Sequence, residues 1–274
     1  TSNMVRQPAV EDGAYALKNG EVNGIYINGT AQKVAEWPNG EGIYKRWDNA
    51  VNATTIEYTD AEPNRWAKAK DYWLAGYPSY DYYYIRQSVT GLNTDEKTIS
   101  IYSSIPMHQF TSSQSRRWKS MNLLEEIDVP GEYYIDTENL ILYLYPTESL
   151  KGAKMEISWL NTPMITFTNA KNITFDGITF AQTRGVGVKM VNVDNVDLKN
   201  CTFEDVLSHA VEVSGTVKAQ TDKDYWQVQD IDGSYNCDID GCTFANIGGG
   251  AIHMSGGNVD TLKKSNNVIS DNMI

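Results

Sequence analysis

Cysteine, histidine and long apolar runs are all scarce in this chain of 274 residues, which contains 3 Cys and 3 His. Three cysteines are too few for a disulfide framework, and no Cys-x-x-Cys pair indicates a zinc or redox site. No stretch approaches the roughly 18 consecutive apolar residues of a membrane-spanning helix, so we expect no membrane span. The segment from Thr1 to Val10 lacks the basic and apolar regions of a signal peptide, and a leader removed before Thr1 would leave such a start.

Basic residues are also few. The chain has 23 Lys and Arg against 35 Asp and Glu, which gives a net charge of -12. A protein that binds nucleic acid needs basic side chains to displace the counterions of the phosphates, and this acidic chain would repel a polyanion. We therefore expect no nucleic-acid partner. An uncharged partner fits the composition better.

The aromatic residues divide the chain into two parts, because 21 of the 24 Trp and Tyr residues precede residue 161. The change in composition places a boundary near Trp159, so we predict an aromatic-rich β domain at 1–159 and a second domain at 160–274. Short alternating runs between Asn-Gly and Pro turns predict a β sandwich or barrel in the first domain. These runs are Gly24 to Asn28, Thr54 to Tyr58, Thr98 to Tyr102 and Leu140 to Tyr145.

The second part contains an internal repeat. Four segments of similar sequence begin at Asn172, Asn195, Asn236 and Asn266, with spacings of 23, 41 and 30 residues. A base period in the low twenties, with insertions taking up the surplus, is typical of a parallel β solenoid whose coils bury a shared core. The repeat reaches Ile274 with no polar capping segment, so we expect further coils in a longer parent protein.

Stacked coils place equal repeat offsets in columns, so the alignment predicts contacts. Two apolar columns should face the core: one contains Phe175, Leu198, Ile239 and Ile269, and the other contains Phe180, Phe203, Phe244 and Ile274. The four leading asparagines should form a hydrogen-bonded ladder at a turn, where Asn tolerates left-handed backbone angles. Cys201 and Cys242 share an offset, which favours buried apolar packing over a disulfide.

A further strand follows in each of three coils, and it carries the candidate active surface. These strands are Val186 to Val191, His209 to Ser214 and Gly250 to Ser255. The inward columns should be Val188, Val211 and Ile252, and Met190, Val213 and Met254. The columns between them should face solvent: Gly187, Ala210 and Ala251 would form a floor of small residues, beside Lys189, Glu212 and His253. This pattern predicts a shallow groove that holds a base, an acid and a cation.

Glu212 is the candidate acid or base of this groove. A glycoside hydrolase usually needs two carboxyl groups, so a partner must come from elsewhere. The candidates are Glu204 and Asp205 before His209, and Asp222, Asp224, Asp230 and Asp232 in the insertion from Gly215 to Tyr235. His209 is either a catalytic residue or a partly buried turn histidine. The non-functional alternative for the whole surface is a solvent-exposed β face, on which Lys189 and Glu212 form an ordinary cross-strand pair.

Tyr225 and Trp226 in the insertion are candidate substrate-binding residues, because aromatic side chains beside a groove commonly stack on sugar rings. The alternative is a long loop that merely covers an edge of the solenoid. We predict no metal site and no cofactor, with calcium as the minority alternative. The acids that would hold calcium are Asp176, Asp197, Asp238 and Asp240, since clustered carboxylates bind this ion.

The segment from Trp118 to Asp136, which contains Asn122-Leu-Leu-Glu-Glu-Ile-Asp128-Val-Pro-Gly-Glu, and the segment Leu142-Tyr-Leu-Tyr-Pro146 resemble a signature of right-handed parallel β-helix proteins related to glycoside hydrolase family 141. Ile27 to Gly29, Ala35 to Asn39 and Trp73 to Tyr77 resemble that family's inserted β domain. Residues 248–262 resemble one of its coils. Asn258-Val259 stands where the family has Asp-Arg, so a charged pair is missing there, and Asn258 becomes a candidate substrate-binding residue.

The resemblance implies a secreted, periplasmic or cell-surface bacterial protein that acts on plant or host glycans, with an oligo- or polysaccharide as its partner. We expect a monomer. The leading hypothesis is a glycoside hydrolase. The alternatives are a non-catalytic glycan-binding surface protein and a polysaccharide lyase, which would need Lys or Arg beside calcium to abstract a proton next to a uronate. Only Lys189 and Arg184 are near enough in the repeat to serve the lyase.

Overall fold

The computed structural model describes residues 24–78, 84–102, 110, 116–136, 139, 141–217, 230–258 and 260–274. The chain divides into two compact units, Thr1–Ile157 and Ser158–Ile274. The described residues contain β-strands and short 3-10 helices but no α-helix. None of the helices in this described part has the length and apolar character that crossing a membrane requires.

The first unit consists of short strands around an aromatic core. Its strands are β1 (Ile25–Ile27), β2 (Thr30–Ala31), β3 (Lys33–Val34), β4 (Glu36–Trp37), β5 (Lys45–Arg46), β6 (Asn49–Asn52), β7 (Thr55–Glu57), β8 (Trp73–Tyr77), β9 (Ile85–Asn93), β10 (Thr98–Ile101), β11 (Arg117–Met121), β12 (Glu132–Asp136), β13 (Ile141–Leu144) and β14 (Met155–Ile157). Two 3-10 helices lie at Glu62–Trp66 and Leu124–Glu126.

These strands form one large sheet and two small ones. The large sheet has eight strands in the order β4-β11-β8-β9-β10-β7-β6, with β5 also paired to β11, and every pair in it is antiparallel. One face of this sheet packs on a core that includes Trp37, Trp47, Trp66 and Trp118. The small sheets have the orders β14-β1-β2 and β13-β12-β3. The alternating runs seen in the sequence thus become strands, each shorter than its run.

The second unit is a parallel β-helix of three sheets. Its strands are β15 (Ile165–Thr168), β16 (Lys171–Asp176), β17 (Thr179–Thr183), β18 (Val188–Val191), β19 (Asp194–Lys199), β20 (Thr202–Val206), β21 (Val211–Ser214), β22 (Thr216–Val217), β23 (Asp230–Asp232), β24 (Asp238–Asp240), β25 (Thr243–Ala245), β26 (Ile252–Met254) and β27 (Val268–Ser270). The parallel sheets have the orders β15-β18-β21-β26, β16-β19-β24-β27 and β17-β20-β25, while β22 and β23 form a small antiparallel pair.

The predicted register of the solenoid is confirmed. Phe175 pairs with Leu198, Leu198 with Ile239, and Ile239 with Ile269, as the repeat alignment requires. In the second column the Phe180 and Phe203 rings stack with centroids 4.9 Å apart, and the Phe203 and Phe244 rings are 5.1 Å apart. In the last coil Ile269 continues the first column and is 50% exposed.

The asparagine ladder forms with one interruption. All four leading asparagines have positive φ angles between 53° and 58°. Asn195 donates to Asn172 at 2.9 Å and Asn266 donates to Asn236 at 3.2 Å, but Asn236 donates to Asp194 at 2.8 Å instead of to Asn195. A neighbouring carboxylate is the stronger acceptor, since charge-assisted hydrogen bonds exceed neutral ones. Cys201 and Cys242 are buried free thiols, in agreement with the packing interpretation.

Candidate functional site

Three of the predicted site residues lie in one row across neighbouring strands. Lys189 of β18 pairs with Glu212 of β21, and Glu212 pairs with His253 of β26. The residues on either side of this row, in the columns of Val188 and Met190, point into the apolar core. Because side chains alternate along a strand, the Lys189, Glu212 and His253 side chains lie on the outer face of the sheet.

Glu212 is the centre of this cluster. Its Oε2 atom lies 3.3 Å from Nζ of Lys189, and its Oε1 atom lies 3.4 Å from Nδ1 of His209. The Glu212 side chain is only 21% exposed, and the His209 side chain is similarly covered, whereas Lys189 is 39% exposed. A carboxylate that is partly withdrawn from water and flanked by two nitrogen donors is suited to proton transfer.

His209 joins the cluster from the turn before β21, not from the row itself. Its ring centroid lies 5.9 Å from that of His253, and its Cδ2 atom lies 3.1 Å from the position of a Cβ atom on Gly250. Burial lowers the pKa of His209; the Glu212 carboxylate opposes this shift and His253 adds to it. In its neutral form, His209 can donate Nδ1–H to Glu212 and keep Nε2 as a proton acceptor.

The predicted floor of small residues is wrong. Ala210 is fully buried in the solenoid core, Ala251 packs against that core, and Gly187 is buried as well. A Cβ atom on Gly187 would lie 2.5 Å from the Ala210 carbonyl oxygen and 3.1 Å from the Phe203 ring. The reason is that strands β18, β21 and β26 begin one residue after this column, so it lies at a corner where strand alternation does not apply. The cluster therefore stands on a sheet face without a groove floor.

Asp205 lies apart from the Glu212 contacts. It belongs to β20, in a different sheet of the solenoid, and has a positive φ of 52°. Its Oδ1 atom accepts a hydrogen bond from Asn246 one coil away at 3.2 Å. Asn and Asp at turn positions with positive φ commonly hydrogen-bond to their neighbours. The hydrogen bond between Asp205 and Asn246 is therefore typical of a structural role. Its assignment as a catalytic residue stays a prediction.

Asn258 belongs to a second polar cluster that fastens the turn after β26 to the end of the insertion. Its Oδ1 atom accepts hydrogen bonds from the Thr261 amide and hydroxyl at 2.8 Å, and its Nδ2 atom lies 3.5 Å from Asp232. The Tyr235 hydroxyl donates to the same Asp232 carboxylate, which raises the pKa of Tyr235 to about 12. Lys263 covers the Tyr235 ring, with Nζ 3.6 Å from the centroid. Asn258 thus has a local structural role, and its predicted role in substrate binding stays a prediction.

Several candidates lie outside the described residues. They are Tyr225 and Trp226, which we predicted to bind substrate, and the acids Asp222 and Asp224. Of Asp230 only the backbone is described, within β23.

The aspartates considered for calcium surround a lysine. Lys199 Nζ lies 3.2 Å from Asp197, and the hydrogen bond between them is the largest cause of the raised pKa of Lys199. The charges of Asp197, Asp238 and Asp240 raise this pKa further. Ser270 donates to Asp240 at 2.6 Å. Within the described ranges, no three His, Cys, Asp or Glu side chains are arranged to hold a metal ion. A cation site here would have to displace the Lys199 ammonium.

The carboxylates of the family-like signature have structural partners that the sequence did not indicate. Buried Glu126 accepts a hydrogen bond from the Trp66 indole at 2.5 Å and lies 2.8 Å from the Arg65 guanidinium. Buried Glu132 accepts the amides of Asp128 and Val129 at 2.9 Å each. Burial raises the pKa of both carboxyl groups. The signature therefore marks side chains that hold the first unit together.

A family model described as a right-handed β-helix region matches residues 141–274. A solved structure named "Glycoside hydrolase" is similar to this chain with a TM-score of 0.63 and 13% sequence identity, over 82% of this chain and 54% of that one. The chain thus spans about half the length of that structure. No curated protein sequence matches this chain. These comparisons and the three parallel sheets establish an all-β fold that contains a right-handed parallel β-helix.

Proposed function

We propose that the protein is a glycoside hydrolase with Glu212 at its reaction centre. The observation that carries the proposal is the contact set of this carboxylate: Lys189 and His209 approach its two oxygens at 3.3 and 3.4 Å on a sheet face of the β-helix. The similarity to a solved glycoside hydrolase adds support at the level of the fold. Relationship to glycoside hydrolase family 141 specifically is part of the proposal and rests on the sequence signature.

In the proposed mechanism, neighbouring side chains share the proton transfers. Glu212 supplies one carboxyl group, and neutral His209 relays a proton between Glu212 and the outer face through its two ring nitrogens. Lys189 offsets the charge of Glu212, and His253 supplies a further exposed donor in the same row. Glycoside hydrolysis usually requires a second carboxyl group within about 5 to 10 Å of the first. We assign it to an acid of the insertion, and Asp205, which lies in a different sheet, stays the alternative prediction.

The proposed substrate is an oligo- or polysaccharide of plant or host origin. Tyr225 and Trp226 of the insertion would stack on its sugar rings, and Asn258 would offer a polar contact. Such substrates lie outside the bacterial cytoplasm, so we propose a secreted, periplasmic or cell-surface location. Calcium stays the minority alternative, and an ion beside Asp197 would have to displace the Lys199 ammonium.

The first experiment measures sugar release from a panel of polysaccharides and aryl glycosides by the intact chain and by Glu212→Gln. The matched control is Glu96→Gln, which removes an exposed carboxylate from the first unit. We expect Glu212→Gln to lower release by about 10²-fold or more, the scale of a lost acid or base, with the control unchanged. Equal release by all three proteins would refute the assignment of Glu212.

A non-catalytic glycan-binding role is the second candidate. It is favoured by the ion-pair contacts of Glu212, which are made to the nitrogen atoms of Lys189 and His209. This role predicts measurable binding of an oligosaccharide without any release of product from the panel. Unsaturated products would instead identify the third candidate, a polysaccharide lyase.

A further inference from the structure

The corner that leads into strands β18, β21 and β26 carries one residue of each coil at the same offset. These residues are Val186, His209 and Gly250. The backbone is in register at this corner, because the Gly187 amide donates to the His209 carbonyl at 3.1 Å. The Ala210 amide likewise donates to the Gly250 carbonyl at 3.1 Å. Two of the three equivalent positions therefore hold side chains, and the third holds none.

The backbone does not require a glycine at position 250. Gly250 has no positive φ angle, and neither Val186 nor His209 has one at the same offset. Among the described residues other than its own chain neighbours, a Cβ atom on Gly250 would come within 4 Å of the His209 ring alone, at 3.1 Å from Cδ2 and 3.5 Å from Nε2. Gly248 differs, because a Cβ atom there would lie 2.5 Å from the Leu207 carbonyl oxygen. The imidazole ring, not the main chain, therefore occupies the space beside Gly250.

The His209 ring leans toward the coil of β26. Equivalent residues of adjacent coils are about 4.7 to 4.9 Å apart, so a ring that stood parallel to its column would not come within 3.1 Å of the next Cβ position. The lean also places the ring centroid 5.9 Å from that of His253. At the same time, Nδ1 lies 3.4 Å from Oε1 of Glu212. The ring is thus placed between the Glu212 carboxylate on one edge and Gly250 on the other.

We infer that Gly250 is a positioning residue for His209: its missing side chain lets the ring lean toward the coil of β26 while Nδ1 contacts Glu212. The inference rests on the proposed function, in which His209 relays a proton through its two ring nitrogens. A methyl group at position 250 would lie 3.1 Å from Cδ2, closer than the roughly 3.5 to 4.0 Å of a good carbon–carbon contact. The Nδ1–Oε1 distance of 3.4 Å is already long for a hydrogen bond, so a displaced ring makes a weaker contact.

The direct test is an NMR titration of the imidazole signals in the full chain, which needs no substrate. His209→Gln identifies the His209 signal among the 3 histidines. Gly250→Ala should lower the pKa of His209 by about half a unit or more, because the methyl group buries the ring further and the weaker contact reduces the opposing influence of Glu212. The influence of His253 is the smallest of the three and does not reverse this direction. Gly91→Ala is the matched control, since its new Cβ atom would lie 3.9 Å from Ser100.

A double-mutant cycle distinguishes positioning from backbone packing. Urea denaturation measures the stability cost of Gly250→Ala in the natural chain and in His209→Ala, which lacks the ring. We expect a cost in the natural chain and none in His209→Ala, because the methyl group then has the vacated space. A glycine required by the main chain would show the same cost in both backgrounds. If Gly250→Ala alone does not fold, the double variant should fold.

Activity gives the last comparison. Sugar release by Gly250→Ala should fall about tenfold, and the acidic limb of its pH profile should move to lower pH together with the pKa of His209. Gly91→Ala should stay within about twofold of the natural chain. An unchanged pKa of His209 in Gly250→Ala, or equal stability costs with and without the ring, would overturn the inference. These two measurements involve no substrate, so they remain decisive even if Glu212→Gln shows the hydrolase assignment to be wrong.

Discussion

Truncation of Phe203 should destabilise the β-helix more than truncation of any other ring in its column. Phe203 is fully buried and stacks on two neighbours, Phe180 at an interplanar angle of 12° and Phe244 at 4°. A buried Phe→Ala change typically costs 3–5 kcal/mol, and we place Phe203→Ala at the upper end, near 5 kcal/mol, because it removes both ring pairs. Phe244 is 5% exposed and stacks on Phe203 alone, so Phe244→Ala should cost about 3 kcal/mol.

The two changes should also be coupled, because each removes the partner of the other. A stacked ring pair contributes about 1 kcal/mol beyond its buried area, so the double variant should be about 1 kcal/mol more stable than the sum of the single losses predicts. Phe203→Leu is the control, since it keeps an apolar side chain in the core but lacks the ring. Hydrogen exchange of the β20 and β25 amides measures the opening free energy of this unit separately from the first one.

A coupling energy near zero would show that the parallel rings are neighbours without a specific stacking energy. Losses below about 2 kcal/mol for Phe203→Ala would mean that the column collapses around the deletion, because a relaxed site leaves a smaller cavity. Either result would refute the reasoning that in-register aromatic stacking holds adjacent coils together.

Two further predictions concern charged and polar groups. Burial lowers the pKa of His209 below its ordinary value of 6.5, so the unfolded chain binds more protons near that pH than the folded chain does. The free energy of unfolding should therefore fall as the pH drops through 6.5. Urea titrations at pH 7.5 and pH 5 measure this fall, and it should be smaller in His209→Gln. An unchanged slope in that variant would assign the pH dependence to other groups. Glu132→Ala removes the acceptor of three backbone amides and should cost about 3 kcal/mol, whereas Glu132→Gln keeps a carbonyl acceptor and should cost about 1 kcal/mol. The denaturation midpoint of the first unit measures both losses, and equal losses would contradict the hydrogen-bonding role.

The register of the solenoid could be predicted from the sequence because parallel coils repeat one geometry. Aligning the leading asparagines was sufficient to pair Phe175 with Leu198 and Phe180 with Phe203, since strand spacing converts equal offsets into contacts. The asparagine ladder is interrupted at one step because two acceptors, Asn195 and Asp194, lie near the Asn236 amide. Asn236 found the Asp194 carboxylate instead of Asn195, a choice that depends on side-chain position and not on the repeat.

The candidate site was predictable only in part. Lys189, Glu212 and His253 form a row because they occupy equal offsets within strands. The approach of His209 to Glu212 comes from the shape of a corner, to which the period-two alternation of strands does not extend. The same limit explains the error at Ala210, which strand alternation placed in solvent and the corner places in the core.

Similarly, Tyr77 and Tyr84 could not be separated from the core tryptophans by composition. Their exposure depends on which face of the large sheet each strand position occupies. That assignment requires the pairing of β8 with β11 as well as with β9, and β11 is far from β8 in sequence.

The two ends of the insertion are held together by backbone pairing at its base. Thr216 pairs with Asp232 across β22 and β23, and Ser234 donates to the Ser214 carbonyl at 2.6 Å just beside them. Backbones cross so closely here that a Cβ atom on Gly215 would lie 2.2 Å from the Gly233 Cα atom. Below this point the coils keep their register, with Leu198 still paired to Ile239. We therefore expect an exchange of residues 218–229 to leave the coils on either side of the insertion in register.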